Sequence, residues 1–166
     1  MRLSKRESQY LKMSLNELND LPDDELFYAV MIRTELKVGE FDNREDGVNS
    51  LNPYQKVFYS VNWLETEVNN GGLCQFFINA GRMVAPFVSE YMAIIGADEH
   101  KKLYDEFVEN NKIDPEALSS FDSNCWEEVV KQYTRYPFDD YDYVFYDMEP
   151  LETYLTKYIR ENLNQF

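Results

Sequence analysis

Apolar side chains recur at three- and four-residue steps along most of this chain, and that spacing constrains the fold more than any other feature. The clearest stripe follows Asn52 and Pro53, a pair that favours the start of a helix. Its apolar members are Tyr54, Val57, Phe58, Val61, Leu64 and Val68. This period is that of an α-helix with one buried face. The same period predicts helices in segments 22–38, 73–80, 85–95, 99–110, 124–136 and 151–163.

The predicted fold class is therefore all-α. We expect residues 1–19 to form an N-terminal arm and residues 20–166 to form a single α-helical domain, an irregular bundle of about six to eight helices. The chain has only 6 glycines and 6 prolines, which disfavours a loop-rich sandwich or barrel. Residues 40–50 are polar and predict a loop. Residues 141–146 suit a short strand by composition, but the helical pattern on both sides favours a short helix.

Negative charge is unevenly placed along the chain. The 31 Asp and Glu residues exceed the 16 Lys and Arg residues, which leaves a net charge of −15, and the excess lies in residues 13–49 and 98–149. Disordered acidic chains are poor in aromatic residues, whereas this chain has 13 Tyr and 11 Phe, so we expect it to fold. A negative surface repels nucleic acid and membrane headgroups and attracts basic partners.

Ten acidic residues from these two blocks are candidates for a surface that faces a basic partner. They are Asp42, Glu45, Asp46, Asp105, Glu106, Glu109, Asp139, Asp140, Asp142 and Asp147. The acidic run 138–149 does not fit a calcium loop of the EF-hand type, because Phe145 stands where that loop requires glycine. The simpler alternative for all of these residues is an ordinary solvated helix face.

Side chains suited to catalysis or metal binding are few. His100 is the only histidine, and its charged neighbours indicate a solvated helix face. Cys74 and Cys125 are the only cysteines; their apolar surroundings indicate buried free thiols rather than a disulfide framework. One histidine and two distant cysteines do not make a zinc site. We therefore expect no enzymatic activity, no metal and no cofactor.

The sequence predicts neither a secretory signal nor a transmembrane segment. The N-terminus is basic, but no apolar run follows it, so it does not predict a secretory signal. No segment approaches the ~18–20 consecutive apolar residues that cross a bilayer. The expected location is the cytoplasm.

The segment 67–79 is the most unusual part of the chain, because it places amides and a Gly-Gly pair among apolar residues. Gly71 is predicted to take a left-handed conformation, and Gly72 allows a second helix to begin at once. The amides available to close the two abutting helix ends are Asn69, Asn70, Gln75 and Asn79. Glu67 is placed to join them. The alternative is a ligand pocket lined by the same amides.

This core resembles a bacterial protein family that contains a DNA mimic. The matching residues are Glu67, Asn70, Gly71, Gly72, Gln75, Phe76 and Asn79, and the Asn-Gly-Gly-x-x-Gln-Phe spacing is the most specific part. The resemblance covers roughly residues 20–162. It implies a mostly α-helical, dimeric protein whose surface acids imitate the phosphates of duplex DNA. Because the matching residues lie in the near-neutral centre, we expect their role to be structural.

The sequence leaves three functional hypotheses. The first is an acidic, non-enzymatic homodimer that imitates duplex DNA and sequesters a basic DNA-binding protein such as a transcription factor, without itself binding nucleic acid or membrane. The second is an immunity-like inhibitor of a basic toxin or nuclease. The third is a small-ligand binder or an enzyme that uses the amide-rich centre. The first two depend on the surface acids, whereas the third depends on Asn70 and Gln75.

Overall fold

Helices make up most of the described part of the chain. The computed structural model describes residues 4–123 and 125–166, and no β-strand occurs within them. Residues 1–3 of the predicted arm and Asn124 of the predicted helix 124–136 lie outside those ranges. The α-helices are α1 Lys5–Tyr10, α2 Leu15–Asn19, α3 Asp23–Val38, α4 Arg44–Asn49, α5 Pro53–Ile78, α6 Ala85–Ile94, α7 Asp98–Asn110, α8 Trp126–Arg135, α9 Phe138–Tyr146 and α10 Leu151–Glu161. Short 3-10 segments cover Ala80–Val84, Leu118–Phe121 and Leu163–Gln165.

The predicted all-α fold class is confirmed. The described ranges nevertheless contain ten α-helices instead of the expected six to eight, and the additional ones are the short helices α1, α2 and α4. A capping box begins each of the first two, with Ser4 and Glu7 at α1 and Ser14 and Glu17 at α2. In each box the serine side chain accepts a hydrogen bond from the glutamate N–H, and the glutamate carboxylate accepts one from the serine N–H.

Helix α4 lies where the sequence predicted a loop. Asn43 caps it, because its side-chain oxygen accepts a hydrogen bond from the backbone N–H of Asp46 at 2.8 Å. Val48 is buried, and Gly47 lies so close to Val38 that a Cβ would overlap the Val38 carbonyl. A polar segment with one buried apolar side chain shows no helical period, which explains why the loop prediction for residues 40–50 was wrong.

The chain is organised as two compact units. The first is Met1–Tyr59 with Glu152–Phe166, described from residue 4 onward, and the second is Ser60–Leu151. Each unit has its own buried apolar side chains. In the first unit the most deeply buried ones include Leu18, Leu26, Ala29, Val30, Phe58, Leu155 and Ile159.

The described part of the N-terminal segment packs on α3 in the first unit. Arg33 on α3 donates two hydrogen bonds to the carbonyl of Tyr10, at 3.0 and 2.8 Å, and one to the carbonyl of Met13 at 2.5 Å. Tyr10 is itself buried. One guanidinium therefore binds the last carbonyl of α1 and a carbonyl of the turn that follows it, as cationic side chains near helix ends commonly do.

Aromatic rings form much of the core of the second unit. The ring of Phe77 lies 5.1 Å from that of Phe121, measured between centroids. Phe107 on α7 lies 5.1 Å from Phe138 and 5.4 Å from Tyr141, both on α9. Aromatic pairs at this separation contribute about 0.5–1.5 kcal/mol each beyond the burial of their surface. The rings thereby hold α7 and α9 side by side.

Three side chains of the second unit lie differently from their predicted positions. His100 is buried, not solvated, with its ring edge-on to Phe145 at 5.5 Å, and burial lowers the pKa of its imidazole. The helical period of segment 124–136 places Trp126 on the apolar face of the predicted helix, yet its side chain is 72% exposed. Cys125 is exposed, whereas Cys74 is buried as predicted. An apolar stripe shows that a helix has two faces, but it does not show what covers either of them.

Candidate functional site

The Gly-Gly pair breaks α5 into two helical stretches. Gly71 and Gly72 both have non-helical backbone angles, so the predicted break is confirmed. The left-handed residue is Gly72, with φ 78°, and not Gly71 as predicted. Gly71 is extended, with φ −169°, and its conformation is open to any residue. Gly72 is therefore the position where the chain path requires glycine.

Side chains from α8 and α9 close this break. The Tyr133 hydroxyl donates a hydrogen bond to the carbonyl of Gly71, and the Tyr146 hydroxyl donates one to the carbonyl of Val68 at 2.7 Å. On the other side of the break, the Asp142 carboxylate accepts a hydrogen bond from the backbone N–H of Leu73 at 2.8 Å. Carbonyls at the end of one helical stretch and an N–H at the start of the next are thus satisfied.

The amides of the core motif have a different partner from the predicted one. Gln75 and Asn79 both donate their side-chain N–H groups to the Glu67 carboxylate, at 2.8 and 2.7 Å. Glu67 joins the amide network as expected, but these amides do not close the helix ends. Asn70 is exposed, and Phe76 is fully buried. The expectation that the amides satisfy the break was wrong because three residues from distant helices already do so.

Asp142 does not belong to an exposed acidic surface, and its inclusion there was wrong. Its side chain is only 8% exposed, and a Cβ at Gly72 would overlap its carboxylate. Burial raises the pKa of Asp142 to about 6, although the hydrogen bond from Leu73 acts in the opposite direction and the charge of Asp139 adds to the rise. A carboxylate taken out of water holds its proton more tightly, unless a positive charge compensates it.

Five predicted surface acids of the second unit are exposed on α7, on α9 and at the residue that caps the end of α9. They are Glu106, Glu109, Asp139, Asp140 and Asp147. Glu106 and Asp140 line the same shallow depression, about 270 Å³ in volume, with the amides of Asn110 and Asn111. The packing of the two helices therefore brings together acids that are more than 30 positions apart in the sequence.

Asp105 differs from those five acids. It is half-buried, pairs with Lys101, and accepts a hydrogen bond from the Ser89 hydroxyl at 2.6 Å. Its charge is therefore partly compensated within the protein, and a partly exposed salt bridge of this type contributes only about 0.2–1 kcal/mol.

The three predicted acids of the first unit lie in α4 or just before it. Asp42, Glu45 and Asp46 are all exposed. Glu45 and Asp46 occupy the first turn of the helix, where its dipole favours negative charge. The Asp46 carboxylate also accepts a hydrogen bond from the Asn43 amide at 2.6 Å. Two of these acids therefore have a local structural role in α4.

Helix α9 also exposes aromatic side chains between its acids. Tyr143 is 77% exposed, Tyr146 is exposed although its hydroxyl is bonded, and Tyr141 is buried. Asp139, Tyr143 and Asp147 follow each other at four-residue steps, so they lie along one side of the helix. This four-residue spacing is the sequence signal that could have identified Tyr143 as exposed. The buried residues of α9 fall between the exposed positions.

No group of three or more His, Cys, Asp or Glu side chains within residues 4–123 and 125–166 is arranged to hold a metal ion. No helix among the described residues combines the length and the apolar character needed to span a membrane.

The fold and the exposed carboxylates define an acidic, all-α protein. The model of one family, DMP19-like protein, matches residues 49–162, and the chain belongs to this family. DMP19 is the DNA-mimic protein family, so the resemblance inferred from the sequence is confirmed at the level of the family. The matched range includes the break in α5 together with α7 and α9. Comparison with curated proteins gave no match, and neither did comparison with solved structures.

Proposed function

We propose that this protein is an acidic, non-enzymatic binding protein that imitates duplex DNA and sequesters a basic DNA-binding protein such as a transcription factor. Membership of the DMP19-like family supports this proposal, as does the net charge of −15. The proposal also includes a homodimer in the cytoplasm that binds no nucleic acid itself. A strongly negative field raises the rate at which basic proteins associate and repels the DNA that competes for them.

The observation that carries the proposal is the uncompensated charge on α7 and α9. Among the described residues, none of the carboxylates of Glu106, Glu109, Asp139, Asp140 and Asp147 forms an ion pair. Like charges three or four residues apart on a helix are mutually destabilising. A partner that carries arginine and lysine side chains would neutralise these carboxylates. Partner binding therefore explains the clustered acids better than solubility alone.

The spacing of these acids is compatible with a row of phosphates. A helix advances about 1.5 Å per residue, so Asp139 and Asp147 are separated by roughly 12 Å along the axis of α9. Duplex DNA carries one charge per about 1.7 Å of its axis, counted over both strands. Two packed helices hold their carboxylates rigidly over distances similar to those between DNA phosphates. The density of negative charge along them is lower than that of duplex DNA.

The test is capture of a partner with paired variants. The immobilised protein is incubated with a lysate of its host, eluted with increasing salt, and the eluted proteins are identified by mass spectrometry. We expect a basic DNA-binding protein that elutes at moderate salt. Glu106→Gln with Asp140→Asn should lower the salt needed for elution. The control, Glu90→Gln with Glu116→Gln, removes the same charge from exposed positions outside the five acids and should elute like the wild type.

The outcomes of this capture experiment distinguish the hypotheses. A captured transcription factor supports the proposal, whereas a captured toxin or nuclease favours the immunity-like alternative. If the folded wild-type protein captures no basic protein, or if both double variants weaken capture equally, the proposed role of the α7 and α9 acids is wrong.

A further inference from the structure

Helix α9 both exposes acids to solvent and contacts the break in α5. Asp139, Asp140 and Asp147 are exposed, whereas Asp142 and the Tyr146 hydroxyl contact backbone atoms on either side of the Gly-Gly pair. The contacting residues are four positions apart, so they lie on the same side of the helix. One short helix therefore carries both the exposed charges and the polar groups that attach it.

We propose that Asp142 is a positioning residue, which docks α9 on the break in α5 and thereby sets where the exposed acids of α9 lie. The effect on partner binding rests on the proposed function, but the docking itself does not.

The geometry favours this role over one of simple burial. Burial of the Phe138, Tyr141 and Phe145 side chains is driven mainly by the hydrophobic effect, which has no direction, so it defines the position of the helix less sharply than hydrogen bonds do. Hydrogen bonds are directional and fail when their geometry is poor. A shift of α9 by one residue would break both the bond of Asp142 to Leu73 and that of Tyr146 to Val68. The two polar contacts therefore fix the register that packing leaves free.

Gly72 is the matching feature on α5. Its φ of 78° turns the chain so that the Leu73 N–H is available, and the missing side chain leaves room for the Asp142 carboxylate. The most specific part of the family core motif thus lies at the place where the acidic helix is attached. Under this inference, the motif helps to position the surface acids of α9, although it contains none of them.

The docking should also respond to pH, because Asp142 is an ionisable group in a poorly solvated place. The titratable groups that face it are Cys74 on α5, Tyr133 on α8, and Asp139, Tyr141 and Tyr146 on its own helix. Burial raises the pKa values of the thiol and of the three phenols, so these groups stay neutral near pH 7. Asp139 is the charged neighbour, and its repulsion of an ionised Asp142 also disappears on acidification. Protonation of Asp142 therefore tightens the docking.

Amide hydrogen exchange of α9 tests the docking without a partner. Protection factors of Leu73 and of residues 142–146 are measured for the wild type, Asp142→Asn and Asp142→Ala at pH about 5 and about 7.5. We expect wild-type protection to rise several-fold on acidification. Asp142→Asn keeps an acceptor for Leu73, so it should stay protected with no such pH response. Asp142→Ala should lose protection about tenfold at both pH values, because a buried hydrogen bond is lost.

The control is Asp140→Asn, an exposed acid of the same helix, which should keep the wild-type pattern. If Asp142→Ala does not fold, Tyr146→Phe removes the second contact and leaves the ring, and it should lower protection of the same residues. Equal protection of α9 in the wild type, Asp142→Ala and Tyr146→Phe would overturn the inference.

Binding to poly-L-arginine separates this inference from the proposed function. Asp142→Asn and Asp142→Ala lose the same buried charge. A difference between them in how salt weakens binding to poly-L-arginine therefore reports the position of α9. We expect weaker binding by Asp142→Ala alone. If the wild type does not bind the polycation while the exchange results are as expected, the proposed function fails and the positioning role stands.

Discussion

Glu65 accepts a hydrogen bond from the backbone N–H of Leu151 at 2.7 Å, and both residues are buried. Leu151 is the first residue of α10, so its N–H has no partner within its own helix. A carboxylate in the middle of α5 therefore closes a helix start 86 positions away. Together with Asp142 and Leu73, this makes two buried carboxylates of the second unit that bond to helix N-termini.

Replacement of Glu65 by alanine should lower the free energy of unfolding by about 1–3 kcal/mol, because a buried N–H is left without a partner. Glu65→Gln keeps an acceptor oxygen and should recover part of the loss. Urea denaturation followed by circular dichroism measures both. Thr66→Ala, an exposed neighbour on the same turn, is the control and should change stability by less than about 0.5 kcal/mol. Equal stability of Glu65→Ala and the wild type would contradict this role.

Gly72→Ala and Gly96→Ala should differ in cost, although both glycines have φ near 80°. A side chain at Gly96 meets no atom within 4 Å, so alanine there should cost only the left-handed backbone term of about 1–2 kcal/mol. At Gly72 the new Cβ also overlaps the Asp142 carboxylate, and we expect about 2–5 kcal/mol in total. The difference in unfolding midpoints under identical conditions is the measurement. Equal losses would mean that α9 moves away at little cost.

The sequence predicts the break in α5 but not the groups that close it. Gly71 and Gly72 interrupt an apolar period, and that local pattern is sufficient to locate the ends of both helical stretches. Tyr133, Asp142 and Tyr146 lie 62 to 78 positions from their backbone partners, and no local pattern relates them. Their pairing depends on the tertiary packing of α5, α8 and α9, which periodicity does not describe.

The acidic surface was predictable in composition but not in detail. Local charge density correctly marked α7 and α9 as helices with exposed acids. It did not distinguish Asp142 from Asp140, because two acids two positions apart on a helix point in different directions. Which of them is buried depends on the rotation of α9 about its axis. That rotation depends on how α9 packs against both α5 and α7. Trp126 on α8 shows the same limit for an apolar residue, because its exposure also depends on tertiary packing.

The pH dependence of stability should contain a contribution from Asp142. Its pKa in the folded protein is about 6, above the value of 3.8 for the free side chain, so the folded state binds the proton more tightly than the unfolded state. The cost of burying the charge is therefore present above pH 6 and disappears as the pH falls through this window toward 3.8. A partial contribution of about 1–2 kcal/mol is reasonable for a carboxylate that is incompletely desolvated.

Asp142→Asn isolates that contribution. The variant should be about 1–2 kcal/mol more stable than the wild type near pH 7, and the difference should vanish near pH 4. Urea denaturation at a series of pH values provides both curves, and their difference removes the effects of the other acids. Asp140→Asn is the matched control from an exposed position of the same helix. A constant difference between wild type and Asp142→Asn across the range would show that Asp142 does not titrate in this window.

The two cysteines should react at very different rates. Cys74 is fully buried, and burial raises the pKa of its thiol to about 12, whereas Cys125 is exposed. The thiolate is the reactive form, so a native sample treated with iodoacetamide should carry one label, located at Cys125 by peptide mass spectrometry. Denaturation should add the second label at Cys74. Cys125→Ser should abolish labelling of the folded protein. Rapid native labelling of Cys74 would show that the core beside the α5 break opens readily, contrary to the tight docking of α9.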